Sequence, residues 1–568
     1  MGNDEKLNDG KPKKGFSRRT FLKGAAFGAA GVAAGGLLAG CGGKDEPAEK
    51  KKKAAPDEEV KLSFEEAPKP IPDSEIKETV DADVVVVGAG LSGLCAAISA
   101  AEEGANVVLL EKTDNVNFRG IDYGSIDSKM QKSIGNKVDK MKAVQEIMRY
   151  SAYKGDQRVI SKWADHSGEV ADWIMDMAES VGCKPKPVPI DETTTPGANI
   201  EVFGTLGFRI DPNDEALASA PKGTDPYLAS IIYVIKKSAE KAGIDIRYKT
   251  PAAQLIRKDK KGRVEGVIAG EKGSYTKFTA KKGVILCTGD YGGDPEMLKH
   301  YIPSSEHIHM NMYEMVHGNI NTGDGHKMGL WVGAAMDEWP HAPMYFDFAV
   351  VGAPILADAL MRQPWLNVNV RGERYADEEL PYSFICNAQR QQPEHFKWVV
   401  WDAKWPEEAP KFNLVACKDM RTAFHNPDNI EKYIEKGYIR SANSLDELAK
   451  KMEVPVDTFK KTVARYNELA KKGVDEDFGK RAECMTTIEK KPFYAAPLGT
   501  ALLVTLGGLQ INDKMQVLDT EKNVIQGLYA AGNASGSYYA NDYCVSLPGN
   551  SHGRAFTFGY LAGKNILG

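Results

Sequence analysis

DADVVVVGAGLSGLCAAISAAEEGANVVLLEK, residues 81–112, is the stretch on which the reading of the fold turns. Val84–Val87 is an all-apolar run, as a parallel strand buried on both faces requires. Gly88-Ala89-Gly90-Leu91-Ser92-Gly93 follows as G-x-G-x-x-G and opens an alanine-rich helix. The glycines permit a tight turn and let backbone N–H groups meet a pyrophosphate at a helix N-terminus. A second apolar strand, Asn106–Leu110, ends at Glu111, an acid placed to accept hydrogen bonds from a ribose hydroxyl. A lone glycine motif says little. Strand, glycines, helix, strand and acid in this order predict a dinucleotide site on an α/β, Rossmann-like unit.

Two later stretches choose the dinucleotide. GRVEGVIAG (262–270) and KKGVILCTGDYGGD (281–294) are similar to the second FAD-contacting segment of flavoproteins, a strand ending at Thr288-Gly289. KNVIQGLYAAGNASG (522–536) resembles the segment that closes over the ribityl chain and pyrophosphate of FAD. Three such segments in sequence predict FAD. No second nucleotide fingerprint follows, so a bound NAD(P)H is not expected.

The chain has 568 residues, 42% hydrophobic and 27% charged, with a net charge of -5, which gives no reason to expect nucleic acid. Arg18-Arg19-Thr-Phe-Leu-Lys and a short small-residue run precede Leu38-Ala39-Gly40-Cys41. These read as a Tat signal over residues 1–40 ending in a lipobox, with Cys41 lipidated and the protein held at the extracytoplasmic face of the cell membrane. A signal cleaved near residue 40 without lipid is the alternative. Residues 41–80 are charged and proline-bearing, and read as a flexible linker. The seven remaining cysteines form no C-x-x-C or C-x-x-C-H, so no cluster, c-haem or other metal site is encoded.

The body as a whole, with GAGLSG, ILCTGDYGGD, TGDGHKMG, NVRGERYADE, TLGGLQIND, GLYAAGNASG and LPGNSHGRAFTFGYLAG in order, resembles the fumarate reductase/succinate dehydrogenase flavoprotein family and, more distantly, ketosteroid dehydrogenases. The resemblance implies an FAD-binding domain (81–302 and 476–568) split by an α+β capping domain (303–475), with substrate trapped between cap and isoalloxazine. It assigns cofactor contacts to Gly88, Gly90, Leu91, Ser92, Gly93, Glu111, Lys112, Gly124, Ser125, Thr288, Gly289, Asp324, Gly532, Asn533, Ser546, Leu547, Gly549 and Asn550. His552 reads as a helix-start residue.

Three positions depart from the family pattern. The histidine before T-x-G-G is Val504 and the arginine before L-x-G-N is Ser546, so both charged anchors for a dicarboxylate are replaced. Aligned on Arg374-Tyr375-Ala376-Asp377-Glu378, the proton-donating arginine of the reductases falls at Tyr382, a phenol able to protonate a developing carbanion. Asp377 and Glu378 are candidate relays. Tyr543 and Tyr123, with Tyr538 and Tyr539, are candidates to bind a carbonyl or stack on a ring, and Arg362 and His341 lie near family site positions. Phenols in place of charges point to a larger, less acidic, aromatic or polycyclic substrate. The expected activity is reduction of an activated C=C bond in anaerobic respiration, with electrons from a membrane cytochrome or a flavin carrier. A ketosteroid-type dehydrogenase and a non-catalytic flavin electron carrier are the alternatives.

Overall fold

The computed structural model describes residues 62–116, 121–189, 200–312, 320–412 and 428–568. The signal over residues 1–40 and Cys41 lie outside these residues.

The chain begins the main sheet with β1 (Ile76–Val87), turns at once into α1 (Leu91–Glu102) and returns as β2 (Val107–Leu110). Helix α2 (Lys140–Tyr150) follows, and β3 (Ser274–Leu286) is the next strand to join β1. A short helix α3 (Asp324–Trp331) leads to β4 (Pro343–Val350), α4 (Tyr382–Arg390) and β5 (Phe493–Thr505). The chain then returns to the main sheet with β6 (Val524–Ala530) and closes it with α5 (Asn550–Asn565).

In the eight-stranded sheet, β6, β3, β1 and β2 lie side by side and parallel, with Val85 registered between Val108 and Val284. Val84–Val87 are buried on both faces, which is why this stretch is an unbroken apolar run. Each such side chain contributes about 1.5–3 kcal/mol by leaving water. The strand ends are stitched by backbone bonds, with Gly88 N–H donating to Leu110 O (2.7 Å) and Cys287 N–H to Val87 O (2.8 Å). α1 is buried from Leu91 to Ala100 because its small residues admit α5 at backbone contact. A Cβ on Gly559 would stand 2.2 Å from Ser92 O, and Ser99 Oγ donates to Tyr560 O (3.0 Å).

The second sheet is mostly antiparallel around β5, which pairs with β4 and with Lys397–Asp402, while Leu366–Val368 continues the sheet beyond and Met310–Asn311 adds a short parallel pairing. Helices Leu445–Met452 and Val456–Lys472 cover it through Leu448, Phe459 and Val463. The architecture is therefore α/β, a Rossmann-like FAD-type unit interrupted by an α+β body. Arg374 anchors that body. Its guanidinium, almost fully buried, donates to both oxygens of Glu378 and of Asp475 at 2.7–2.9 Å, and Lys480 Nζ lies 3.3 Å from Glu378.

The end of the expected linker carries defined structure instead. Residues 76–80 already belong to β1, and Phe64 is 3% exposed among Tyr291, Tyr301 and Met297, where its carbonyl accepts from Trp331 Nε1 (2.9 Å). One aromatic side chain with a pocket to fill orders a stretch whose composition is that of a tether.

Candidate active site

The three glycine-bearing turns meet with no room for side chains. A Cβ on Gly93 would fall 1.8 Å from Gly88 O, one on Gly88 2.4 Å from Cys287 O, and one on Gly532 2.5 Å from Ser92 Oγ. Gly88 has φ +102°, a conformation that glycine adopts without strain. Gly90 caps α1 with no side-chain hydrogen bond, so the N–H groups of Leu91 and Ser92 open the helix without an acidic cap. Two neighbouring helices do carry one: Asp139 caps α2 and Asp225 caps Pro226–Lys241. A bare, glycine-walled helix start between two parallel strands fits the pyrophosphate of a dinucleotide.

Glu111 stands beside this turn, 7% exposed, accepting from Ala89 N–H (2.8 Å) and from Thr113 N–H and Oγ (both 2.8 Å). Its neighbour Lys112 pairs with Asp324 at 2.8 Å. Although burial opposes it, this lysine holds the Asp324 carboxyl below its ordinary range. Thr288 Oγ1 accepts from Gly325 N–H (3.2 Å), which ties the end of β3 to α3. At Gly289, φ is +76° and a Cβ would meet Asn321 Nδ2 at 2.9 Å.

The other end of the groove is the start of α5. Gly549 begins it in the left-handed region (φ +73°), again without a side-chain cap, and accepts from Gly124 N–H (2.8 Å). Trp163 Nε1 in turn donates to Gly124 O (3.2 Å), and Ser125 N–H donates to Thr205 O (2.8 Å). Leu547 is buried, and its carbonyl accepts from Asn550 N–H (3.2 Å). Asn550 binds two phenols: its Nδ2 donates to Tyr538 (2.9 Å), and its Oδ1 accepts from Tyr539. Both rings rest on the buried Arg554 guanidinium, at 5.5 and 4.9 Å, and Arg554 donates to Asn533 Oδ1 (2.7 Å). Tyr123 is stacked on Phe208 (5.6 Å) with its hydroxyl buried and without a hydrogen-bond partner among the described residues, and burial pushes its pKa up. These uncapped helix starts, the glycine cradle and the buried hydroxyl suit a flavin dinucleotide. Gly88, Gly90, Leu91, Ser92, Gly93, Gly532 and Asn533 would hold the pyrophosphate, Glu111 the ribose, and Gly124, Gly549 and Asn550 the ring.

Between the two sheets lies a junction. Tyr382 and Met344 are half-buried and pack against the apolar cores of both bodies, and Phe384 and Val504 pack against the first. Tyr382 opens α4 and meets Phe346 edge-on at 4.8 Å. The loop bearing Tyr543 reaches this helix through its neighbour: Asp542 Oδ2 accepts from Asn387 Nδ2 (2.8 Å), and burial raises the Asp542 pKa. Tyr543 itself lies 5.6 Å from Tyr539, ring to ring. So α4 is tied through Asn387 to the loop whose tyrosines bind the start of α5, and its first residue, Tyr382, stands at the junction of the two cores.

The remaining candidates sit further out. Arg362 donates to Ala357 O (2.7 Å) and covers Phe348 at 4.5 Å, two rings removed from Tyr382 along the row Phe346–Phe348. His341 is locked in the wall: Tyr291 OH donates to its Nδ1 (2.7 Å) and its Nε2–H to Asp337 O (3.0 Å). Burial pushes its pKa down to about 3, so it stays neutral. Glu378 is committed to Arg374 and Lys480 rather than to a relay. Asp377 is buried, with its pKa raised to about 6 by burial, and accepts from Glu379 N–H (2.9 Å). His552 Nδ1 lies 3.0 Å from Asp122 O, at the start of α5.

Two residues of α2 went unread in the sequence. Glu146 Oε1 accepts from Ser546 Oγ (2.7 Å), and Tyr150 stacks on Phe384 of α4 (5.3 Å, 14°). Their spacing of four places both on one helix face, but α2 otherwise shows only an ordinary amphipathic pattern.

A family profile described as FAD binding domain matches residues 83–550. The vinyl phenol reductase of Lactiplantibacillus plantarum is 27% identical over 504 residues, spanning 85% of this chain and 96% of that protein. The 3-oxosteroid 1-dehydrogenase of Mycolicibacterium smegmatis is 26% identical over 575 aligned positions, covering 85% and 97%. Among solved structures, the open conformation of a flavocytochrome c3 fumarate reductase matches with a TM-score of 0.63 and 25% identity, over 86% of this chain and 78% of that one.

Proposed function

The chain belongs to the FAD binding domain family, and from that premise we propose that it reduces an activated C=C bond in an uncharged aryl or polycyclic compound. It is an FAD-dependent oxidoreductase, with relatives that are reductases and dehydrogenases. Bound FAD, once reduced, supplies the hydride. Tyr382 delivers the proton to the carbon that becomes a carbanion, and the tyrosine cluster at the start of α5 orients the ring system. The observation that carries this reading is the lining of the junction: Tyr382, Phe384, Met344 and Val504 pack where cap and FAD unit meet, and Ser546 is bound to a carboxylate. A dicarboxylate brought there would meet Glu146, already paired with Arg149, in place of an arginine committed to the substrate, and would forgo a charge pair of about 2–5 kcal/mol.

The test is anaerobic. Viologen-reduced protein is mixed with fumarate, urocanate, cinnamates, hydroxystyrenes and enone steroids, and flavin reoxidation is followed. An aryl alkene or enone should reoxidise the flavin at least about 30-fold faster than fumarate does, as a difference of that size in binding energy requires. Rapid turnover of fumarate would refute the assignment.

The dehydrogenase direction is the second reading, favoured by the near-complete coverage of the steroid dehydrogenase relative. Oxidised protein bleached by a saturated keto compound, with no reoxidation by its enone, would select it. We further propose Tat export, lipid attachment at Cys41 and an external donor, a membrane cytochrome or flavin carrier, because the Arg18-Arg19 motif and the sequence Leu38-Ala39-Gly40-Cys41 stand at the start of the chain. Cys41→Ser should move the protein from the membrane fraction to the soluble fraction. A variant that stays with the membrane would dismiss the anchor.

A further inference from the structure

Arg554 is a fully buried guanidinium, 0% exposed one turn into α5, that the scheme above does not use. Its Nη2 donates to Asn533 Oδ1 (2.7 Å) and its Nη1 to Ser535 O (3.4 Å), while its Nε has no hydrogen-bond partner among the described residues. Both acceptors are neutral. The rings of Tyr538 and Tyr539 cover the cation, with centres 5.5 and 4.9 Å from it, and burial pushes the pKa of both phenols up, so they stay uncharged. Asp337 is the carboxylate whose charge reaches Arg554, but its oxygens already take the N–H groups of Ser537 (2.8 Å) and Gly508 (3.1 Å), and burial pushes its pKa up to about 6. Arg374, likewise withdrawn from water, has two carboxylates bonded to it. A buried charge without such a partner is costly, and the cost is recovered when the partner arrives with a ligand.

The contacts place this cation between the two charges that FAD would bring. Asn533 stands in the turn that would hold the pyrophosphate, and Asn550, bound to both phenols, stands at the helix start that would hold the ring. The pyrophosphate would already meet the uncapped N–H groups of α1. Bound FAD, on taking two electrons and one proton from its reductant, acquires a negative charge at the pyrimidine end of its ring. We infer that Arg554 is the counter-charge for that ring and so holds the reduction potential of the bound flavin up. The oxidised ring is neutral and gains little from a nearby cation. The reduced ring gains an attraction that a water-free interior screens weakly, so one redox state is stabilised over the other. The link through Tyr539 acts in the same sense: the cation draws electron density from the phenol and strengthens the O–H that it donates to Asn550. Arg554 is thus a positioning residue, working through its field and through Asn550. Its effect does not depend on the substrate that the flavin reduces and bears on which donors can load the flavin with electrons.

The experiment equilibrates FAD-loaded wild type, Arg554→Met and Arg554→Lys with a redox dye and reads the ratio of reduced to oxidised flavin at one fixed potential. Arg554→Met should shift that ratio at least about tenfold toward the oxidised form, which for a two-electron couple is about 30 mV. Arg554→Lys keeps the charge and should stay within about threefold of wild type, half that interval. A second reading needs no variant. As the pH is lowered, the fully reduced wild-type protein should keep the absorbance of anionic reduced flavin below the pH at which free reduced flavin takes up its proton. A ratio in Arg554→Met within threefold of wild type overturns the inference, as does a shift in Arg554→Lys as large as that in Arg554→Met. So does reduced wild-type protein whose flavin protonates like the free cofactor. Weakened FAD binding in Arg554→Met, with an unchanged ratio in the flavin that stays bound, would assign the cation to the pyrophosphate and overturn it too. Failure of every alkene to reoxidise the flavin would sink the C=C reductase reading and leave this inference standing.

Discussion

A Gly93→Val chain should purify without bound flavin. The Cβ of residue 93 would stand 1.8 Å from the carbonyl oxygen of Gly88, where ordinary contact needs 3.4–4 Å. The obstacle is backbone, so no rotamer change relieves it, and either the helix start or the glycine turn has to move. Both carry the uncapped N–H groups that would face the pyrophosphate, and affinity for FAD should fall at least about 100-fold, which corresponds to about 2.7 kcal/mol. The check is flavin absorbance per chain, together with the thermal transition on adding FAD. Wild-type protein stripped of flavin should gain stability on reloading, by about 2.7 kcal/mol at a hundredfold excess over Kd, and the variant should gain none. A variant carrying flavin at wild-type stoichiometry would show that the pyrophosphate lies elsewhere.

Tyr382→Phe should bind FAD normally and turn over about 10²–10⁴-fold more slowly, the usual contribution of a positioned acid. The substitution removes one hydroxyl and keeps the ring, so the edge-on contact with Phe346 at 4.8 Å and the packing on both cores persist. The loss should fall on kcat, with KM little changed, and extend to every alkene the wild type accepts, since each needs a proton on carbon. A kcat within threefold of wild type would leave Tyr382 a packing residue and move the search for the donor to Tyr543.

The fold was legible where chemistry constrains the backbone. Gly88, Gly93, Gly532 and Gly549 are glycines because a Cβ has no space, and such positions can be read without a structure. The end of the linker was misread because composition averages over a stretch, whereas Phe64 alone supplies a buried contact. The candidate site divides in the same way. Tyr382 could be placed by its distance from a motif, and it stands at the junction between the two cores. Glu146 could not, because it lies 400 residues from Ser546, and a glutamate on an amphipathic helix looks in sequence like any solvated acid. Glu378 misled for the converse reason: an acid beside the site motif turns out to neutralise Arg374 and Lys480 in a buried cluster.

The backbone-close packing of α1 against α5 has a consequence for timing. The glycine turn and α1 are made early, yet the wall they rest on, Gly559 over Ser92 and the bond from Ser99 to Tyr560, is encoded at residues 550–565. At 5–20 residues per second, about 25–90 s of synthesis separate the two. Through that interval the nascent chain holds half a nucleotide groove and exposes the small-residue face of α1 to any helix that will cover it. Flavin capture thus belongs to the finished polypeptide. A ribosome that stalls before α5 should release a colourless chain, and the yellow colour of the holoprotein certifies that translation ran to the end of that helix.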